Sequence, residues 1–147
     1  MNLTIRECLY KDLDYIVDLQ QQWSKEEITY GFMPADKDHL ETKLGKYFLV
    51  AELNNEIVGF VCGTVNKADN ISVINNGETY IEVEDIYTAK DNRDKNIGTL
   101  LLDRVLEVAK ENGVERSLIY SSTKDIDSII KFYRKNDYKT WYIQMFK

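Results

Sequence analysis

The chain has 147 residues, 44% of them hydrophobic and 30% charged, with a formal net charge of −6. That size and balance fit one soluble domain around a single core, and exclude a disordered chain. No apolar stretch approaches the roughly 18 residues a membrane span needs, and an acidic chain without a basic run is a poor partner for nucleic acid or anionic lipid.

The N-terminal residues Met1-Asn2-Leu3-Thr4-Ile5-Arg6 lack the apolar block of a signal peptide, so a cytoplasmic address is expected. Leu3 to Arg6 reads as a short strand. Asp12 is placed to cap a helix whose apolar side is Leu13, Ile16, Val17 and Trp23. Residues 27–35, with Gly31 and the single proline Pro34, read as a loop, and Asp36 as the cap of a second helix through Leu40 and Leu44. Tyr47 to Leu53 and Glu56 to Val65 are strand-like runs across an Asn54-Asn55 turn, which is a hairpin signal. Residues 66–77 are polar and turn-rich. Glu78 to Thr88 is a further strand, unusually loaded with carboxylates.

The strongest helix follows a loop over 89–97. Leu101, Leu102, Val105, Leu106, Val108 and Ala109 form a broad apolar stripe, and Asn112-Gly113 stops it. Arg116 to Ser121 is a strand. Ile126, Ile129, Ile130 and Tyr133 recur at helical spacing, which makes Ile126 a core position. Tyr138 to Phe146 is expected to close the sheet as a last strand. The element order predicts one α/β domain over 1–147, a mixed and mostly antiparallel sheet with helices on both faces. Cys8 and Cys62 stand far apart in no ligand-like spacing, so neither a cysteine-based zinc site nor any other metal site is expected.

The chemistry concentrates in Glu82-Val83-Glu84-Asp85-Ile86-Tyr87-Thr88 and the following Arg93-Asp94-Lys95-Asn96-Ile97-Gly98-Thr99. A strand, a polar loop and an uncapped helix opening near Gly98 make a place for an anion. Free N–H groups and the positive dipole end face it, and glycine permits close backbone approach.

These residues resemble the GNAT family, the Gcn5-related N-acetyltransferases, whose signature is a strand, then Arg/Gln-x-x-Gly-x-Gly/Ala, then a helix. Arg93 to Gly98 fits that signature with Asn96 in place of the first glycine. Phe132-Tyr133-Arg134-Lys135-Asn136-Asp137-Tyr138 is similar to the family's Phe-Tyr-x-Lys-x-Gly-Phe/Tyr, with Asp137 at the glycine. The resemblance implies the family's acyl-CoA transferase fold, acetyl-CoA as cosubstrate and a small-molecule amine as acceptor. It also implies that the backbone of Ile86, Tyr87 and Thr88 lines the pantetheine arm, with Ile86 nearest the thioester oxygen. Arg93, Asp94, Lys95, Asn96, Ile97, Gly98 and Thr99 would cradle the pyrophosphate. Where many members carry a coenzyme-contacting Asn, this chain has Ile126.

An alkylammonium with a pKa of about 10.4 must lose a proton before its nitrogen can attack, so a carboxylate belongs at the cleft. In a regular strand Glu82 and Glu84 share one face and Asp85 takes the other. The run Tyr80 to Tyr87 resembles the matching strand of spermidine/spermine acetyltransferases, which implies Glu84 as the base and Asp85, with Glu82, as contacts for a cationic acceptor. Tyr133 would be the general acid for the departing thiolate. His39 reads as exposed and Cys62 as a small buried residue. Tyr10, Tyr15, Trp23, Tyr30 and Phe32 are open to two readings, core or acceptor-pocket wall.

The expected function is direct acetyl transfer to a small amine in a ternary complex. The rivals are a protein or peptide N-acetyltransferase and a degenerate fold that senses a ligand or binds a partner. With room for one strand after Tyr138, an unpaired sheet edge also points to a homodimer.

Overall fold

The computed structural model describes residues 2–147. Strand β1 (Leu3–Glu7) leads through a 3-10 turn at Tyr10–Asp12 into helix α1 (Leu13–Glu26) and the short helix α2 (Lys37–Glu41). Strands β2 (Phe48–Leu53), β3 (Glu56–Lys67) and β4 (Thr79–Thr88) follow, then α3 (Ile97–Glu111), β5 (Arg116–Ile119) and α4 (Ile126–Lys135). The sheet runs in chain order β1-β2-β3-β4-β5. Pairs are antiparallel up to β4, and β5 lies parallel to β4, Tyr80–Val83 against Arg116–Ile119. The expected hairpin forms with Asn54 and Asn55 at φ 51° and 69°. Two consecutive left-handed residues match the twist of the flanking strands, and asparagine tolerates that region well.

Each face of the sheet is covered separately. Leu101, Leu102, Val105 and Ala109 of α3 are fully buried against Val61, Ile81 and Val83. On the opposite face Leu13, Ile16 and Leu19 of α1, with Leu40 of α2, close over Phe48, Val50, Phe60 and Tyr87. At roughly 1.5–3 kcal/mol for each large apolar side chain buried, these two layers are the main cohesive term of the fold. Gln20 is the polar exception within α1. It is 2% exposed, and its side-chain carbonyl accepts from the Ala35 N–H at 3.1 Å, pinning the loop that follows α1.

Four expectations are corrected. Asp36 caps α2 as read, accepting from the His39 N–H, but the helix stops at Glu41 rather than reaching Leu44. Asp12 does not cap α1. Its carboxylate instead takes two hydrogen bonds from Arg6, at 2.7 and 3.0 Å, and one from the Leu9 N–H. A cap signal and a buried ion pair look alike locally, because the partner arrives from β1. Ile126 is 46% exposed rather than core, since α4 packs on the core chiefly through Phe132 and leaves its first turn uncovered. Tyr138 to Phe146 forms no strand. The run Trp141-Tyr142-Ile143 is apolar at successive positions, so period-two alternation selects no face, and these side chains stay 44–68% exposed.

Asp12 is 3% exposed, and the Arg6 guanidinium holds its carboxyl below the ordinary carboxylate range. A lowered pKa in the folded state adds stability above about pH 4 and loses it as the pH falls further. Asp12→Asn is therefore expected to cost about 3 kcal/mol at pH 7. Urea melts should show the gap from wild type shrinking below about pH 4.

Candidate active site

At one point strand β4 slips register against β3 and parts from β5. Toward β3 the register breaks, with Cys62 opposite Asp85 and Gly63 opposite Val83, so Glu84 is an extra residue without a partner. Toward β5 the pairing ends at Val83–Ile119, while β4 runs on to Thr88. A bulge bends a strand and re-aims its side chains. Glu84 and Asp85 consequently both line a cleft of about 770 Å³ at the parting of the two strands. The regular-strand expectation that separated Glu84 from Asp85 is corrected by this bulge. Glu82, paired opposite Thr64, lies outside the cleft lining.

The two carboxylates have different surroundings. The Thr64 hydroxyl donates to one oxygen of Glu84, and the Lys43 ammonium stands 3.4 Å from the other. Asp85 has no side-chain hydrogen bond or ion pair among the described residues. Burial, and then the charge of Glu84, raise its pKa above the ordinary carboxylate range. Beneath them the thiol of Cys62 is pushed up to about 12 by burial, so it is no nucleophile. His39 is exposed at the rim, as expected.

An aromatic wall bounds one end of the cleft. Trp23 stacks on Tyr87 at 5.0 Å and on Phe32 at 4.3 Å between ring centroids. Trp23, Tyr30 and Phe32 line the cleft, Trp23 also packs against the core, and Tyr10 and Tyr15 are exposed outside it, fitting neither of the two readings. The loop 28–35 crosses the cleft as a strap. Tyr30 N–H donates to the Ser122 carbonyl at 2.9 Å and Lys124 N–H to the Ile28 carbonyl at 2.8 Å. Trp23 Nε1 donates to Thr29 at 3.0 Å.

At the other end Thr88, Arg93 and Gly98 line the cleft. Asn96 occupies the left-handed region at φ 65°, which reconciles it with the glycine it replaces, and α3 starts there without a side-chain cap. A Cβ on Gly98 would meet nothing closer than Phe132 at 3.6 Å, an ordinary contact, so the protein's own packing does not require glycine. Of the other loop residues, Ile97 turns its side chain into the core, Lys95 contacts Asn92, and Asp94 is left-handed at φ 66°. Tyr133 lines the cleft between Phe132 and Tyr138, and burial pushes its phenol up to about 12.

A free helix start beside a glycine and an open strand edge fits an acyl-coenzyme A, and the sequence comparison agrees. The model of the acetyltransferase (GNAT) family matches residues 12–138. This chain belongs to the GNAT acetyltransferase family. Streptothricin acetyltransferase A of Bacillus subtilis (strain 168) is 38% identical over 74 residues, covering 50% of this chain but only 42% of that relative. An aminoglycoside acetyltransferase, meta-AAC0020 from an uncultured soil metagenomic sample, superposes with a TM-score of 0.73 at 21% identity, covering 99% of this chain and 95% of that one. A protein from Clostridium acetobutylicum, described as a predicted acetyltransferase and solved with acetyl-CoA, superposes at 0.72 and 19% identity, covering 98% and 96%. At these identities the structural likeness establishes the GNAT fold alone.

Three residues of this GNAT site escaped the sequence reading. Lys43 and Thr64 hold Glu84, and Glu26 holds Arg93 in a two-point pair at 2.7 and 2.8 Å. No local signal marks them, because each meets its partner across a sequence separation of 20 to 67 residues.

Two substitutions separate site from scaffold. Gly98→Ala is expected to leave stability in urea melts equal or higher, by up to about 1 kcal/mol, while weakening acetyl-CoA binding by about tenfold in calorimetry. A group whose folded pKa is raised contributes stability below its unfolded pKa and loses it as pH rises. Charged Asp85 therefore destabilises the fold at pH 7. Asp85→Asn is expected to raise the melting temperature there, with the gain vanishing below about pH 4.

Proposed function

We propose that this GNAT domain transfers the acetyl group of acetyl-CoA to a primary amine of a small cationic molecule, by direct attack in a ternary complex. The observation that carries this reading is that one cleft holds the open edge of β4, the start of α3 and the Glu84–Asp85 carboxylates. Donor and acceptor therefore share a single space. Acetyl-CoA supplies the activated acyl group. Its arm would run along the edge of Ile86, Tyr87 and Thr88 that β5 leaves open, and its phosphates would meet the N–H groups of the Arg93–Thr99 loop where Gly98 leaves room.

The carboxylates divide the work in a way the sequence alone did not suggest. Glu84, held by Thr64 and Lys43, is a fixed charge that attracts the ammonium form of the acceptor. Asp85, without a protein partner and with its pKa raised, takes the proton. Tyr133 stays protonated throughout the working pH range and donates toward the leaving sulfur. The strap over residues 28–35 roofs the acceptor end and favours a small molecule over a peptide chain. Similarity over 74 residues to a streptothricin acetyltransferase supports a small-molecule acceptor. Two buried free cysteines suit a reducing, cytoplasmic setting.

Titration with acetyl-CoA followed by an acceptor panel of streptothricin, aminoglycosides, spermidine and a peptide with a free N-terminus tests the reading. One-site coenzyme binding and turnover of a small amine are expected. Turnover of the peptide alone would move the assignment to protein acetylation, and no binding at millimolar coenzyme would favour a sensor or interaction module. With the preferred acceptor, kcat/KM is expected to rise with pH through an apparent pKa above about 4. Asp85→Asn should abolish that rise and lower kcat by at least about 100-fold. Tyr133→Phe should lower kcat while the melting temperature stays within about 2 °C of wild type.

A further inference from the structure

Glu26, the last residue of α1, lies outside the cleft lining yet touches groups at both of its ends. Its carboxylate receives Arg93 through Nη1 at 2.7 Å and Nη2 at 2.8 Å, and the Tyr87 hydroxyl donates to the same group at 2.5 Å. The Glu26 side chain is only 14% exposed. The remaining Arg93 donor, Nε, reaches the Thr88 carbonyl at 3.0 Å, and the guanidinium stands 5.4 Å from the centre of the Tyr87 ring. Each nitrogen of Arg93 is thus engaged by the protein itself. From Tyr87 the contact continues through Trp23 to Phe32 of the strap.

We propose that Glu26 is a positioning residue: it fixes Arg93 as a brace on the loop that receives the coenzyme phosphates, and joins that loop to the acceptor wall through Tyr87 and Trp23. The inference rests on the acetyl-CoA reading of the site. A bidentate guanidinium–carboxylate pair is directional and charge-assisted, so it holds a loop where a single ammonium contact would not. Paired in this way, Arg93 adds little net positive charge to the phosphate region. The attraction there falls to the backbone N–H groups at the start of α3, whose placement depends on the brace.

The sign of one substitution separates this role from the alternative. If Arg93 were a phosphate ligand that Glu26 merely competes for, Glu26→Gln would free it, remove a nearby negative charge and tighten acetyl-CoA binding. As a brace, Glu26→Gln loosens the loop and weakens binding by about fivefold. Arg93→Lys keeps the charge but loses the fork, and is expected to weaken binding similarly. The double variant should be no weaker than either single one, because each alone breaks the same unit. Calorimetric titration of the full chain with acetyl-CoA reads all four proteins.

A second readout needs no coenzyme. The chain has two tryptophans, so Trp141→Phe leaves Trp23 as the sole emitter. Adding Glu26→Gln to that background should shift Trp23 emission to the red as its stack on Tyr87 loosens. Unchanged or tighter coenzyme binding in Glu26→Gln would overturn the brace, and unchanged emission would overturn the link to the wall. Wild type that fails to bind acetyl-CoA, with the emission shift present, would fault the coenzyme reading instead.

Discussion

The parting of β4 from β5 after Val83, beside a bulge against β3, is the constraint on which the site depends. Backbone N–H and C=O groups need partners, and a strand edge without them is normally paired or covered. Here the edge beyond Val83 faces a cleft, where a ligand or water can meet those groups. The same point carries the bulge at Glu84, so one local irregularity opens the strand and turns two carboxylates inward. Neither effect would survive alone. A bulge with β5 still paired would leave no cleft, and a parted strand without the bulge would send Asp85 to the opposite face.

Charge is arranged with equal economy. The chain carries a net −6, yet the cleft is not uniformly acidic. At the acceptor end Lys43 neutralises part of Glu84 while Asp85 stays unpaired. That leaves one carboxylate held by partners and one without any, the asymmetry on which the proposed division of roles rests. At the opposite end Glu26 pairs with Arg93, so in the proposed reading anion attraction falls to backbone dipoles. Fixed dipoles lose little on binding because they are already oriented, provided that the loop bearing them is held.

The layered fold was legible where local pattern and tertiary partner agree. The α3 stripe Leu101, Leu102, Val105 and Ala109 is buried as its spacing requires, and the Asn54-Asn55 turn folds as its chemistry demands. Asn96 was readable as well, since a left-handed requirement is a property of one residue. The failures share a cause. Asp12 resembled a helix cap, but β1 brings Arg6 to it. Ile126 and the run after Tyr138 have apolar patterns without a surface to bury them. Glu26, the residue bridging both ends of the cleft, carries no local mark at all.

By itself the sequence determined the family and the order of elements as far as α4, and it offered the start of α3 as an anion site with candidates that include Glu84, Asp85, Arg93, Gly98 and Tyr133. These follow from residue type and near-neighbour spacing, which a linear chain displays. Only the tertiary structure decided which carboxylate is held and which is left without a partner, that Arg93 is already paired, and which aromatics wall the cleft. Those properties arise from contacts between segments tens of residues apart, and burial and electrostatic pairing exist only once the chain has brought them together.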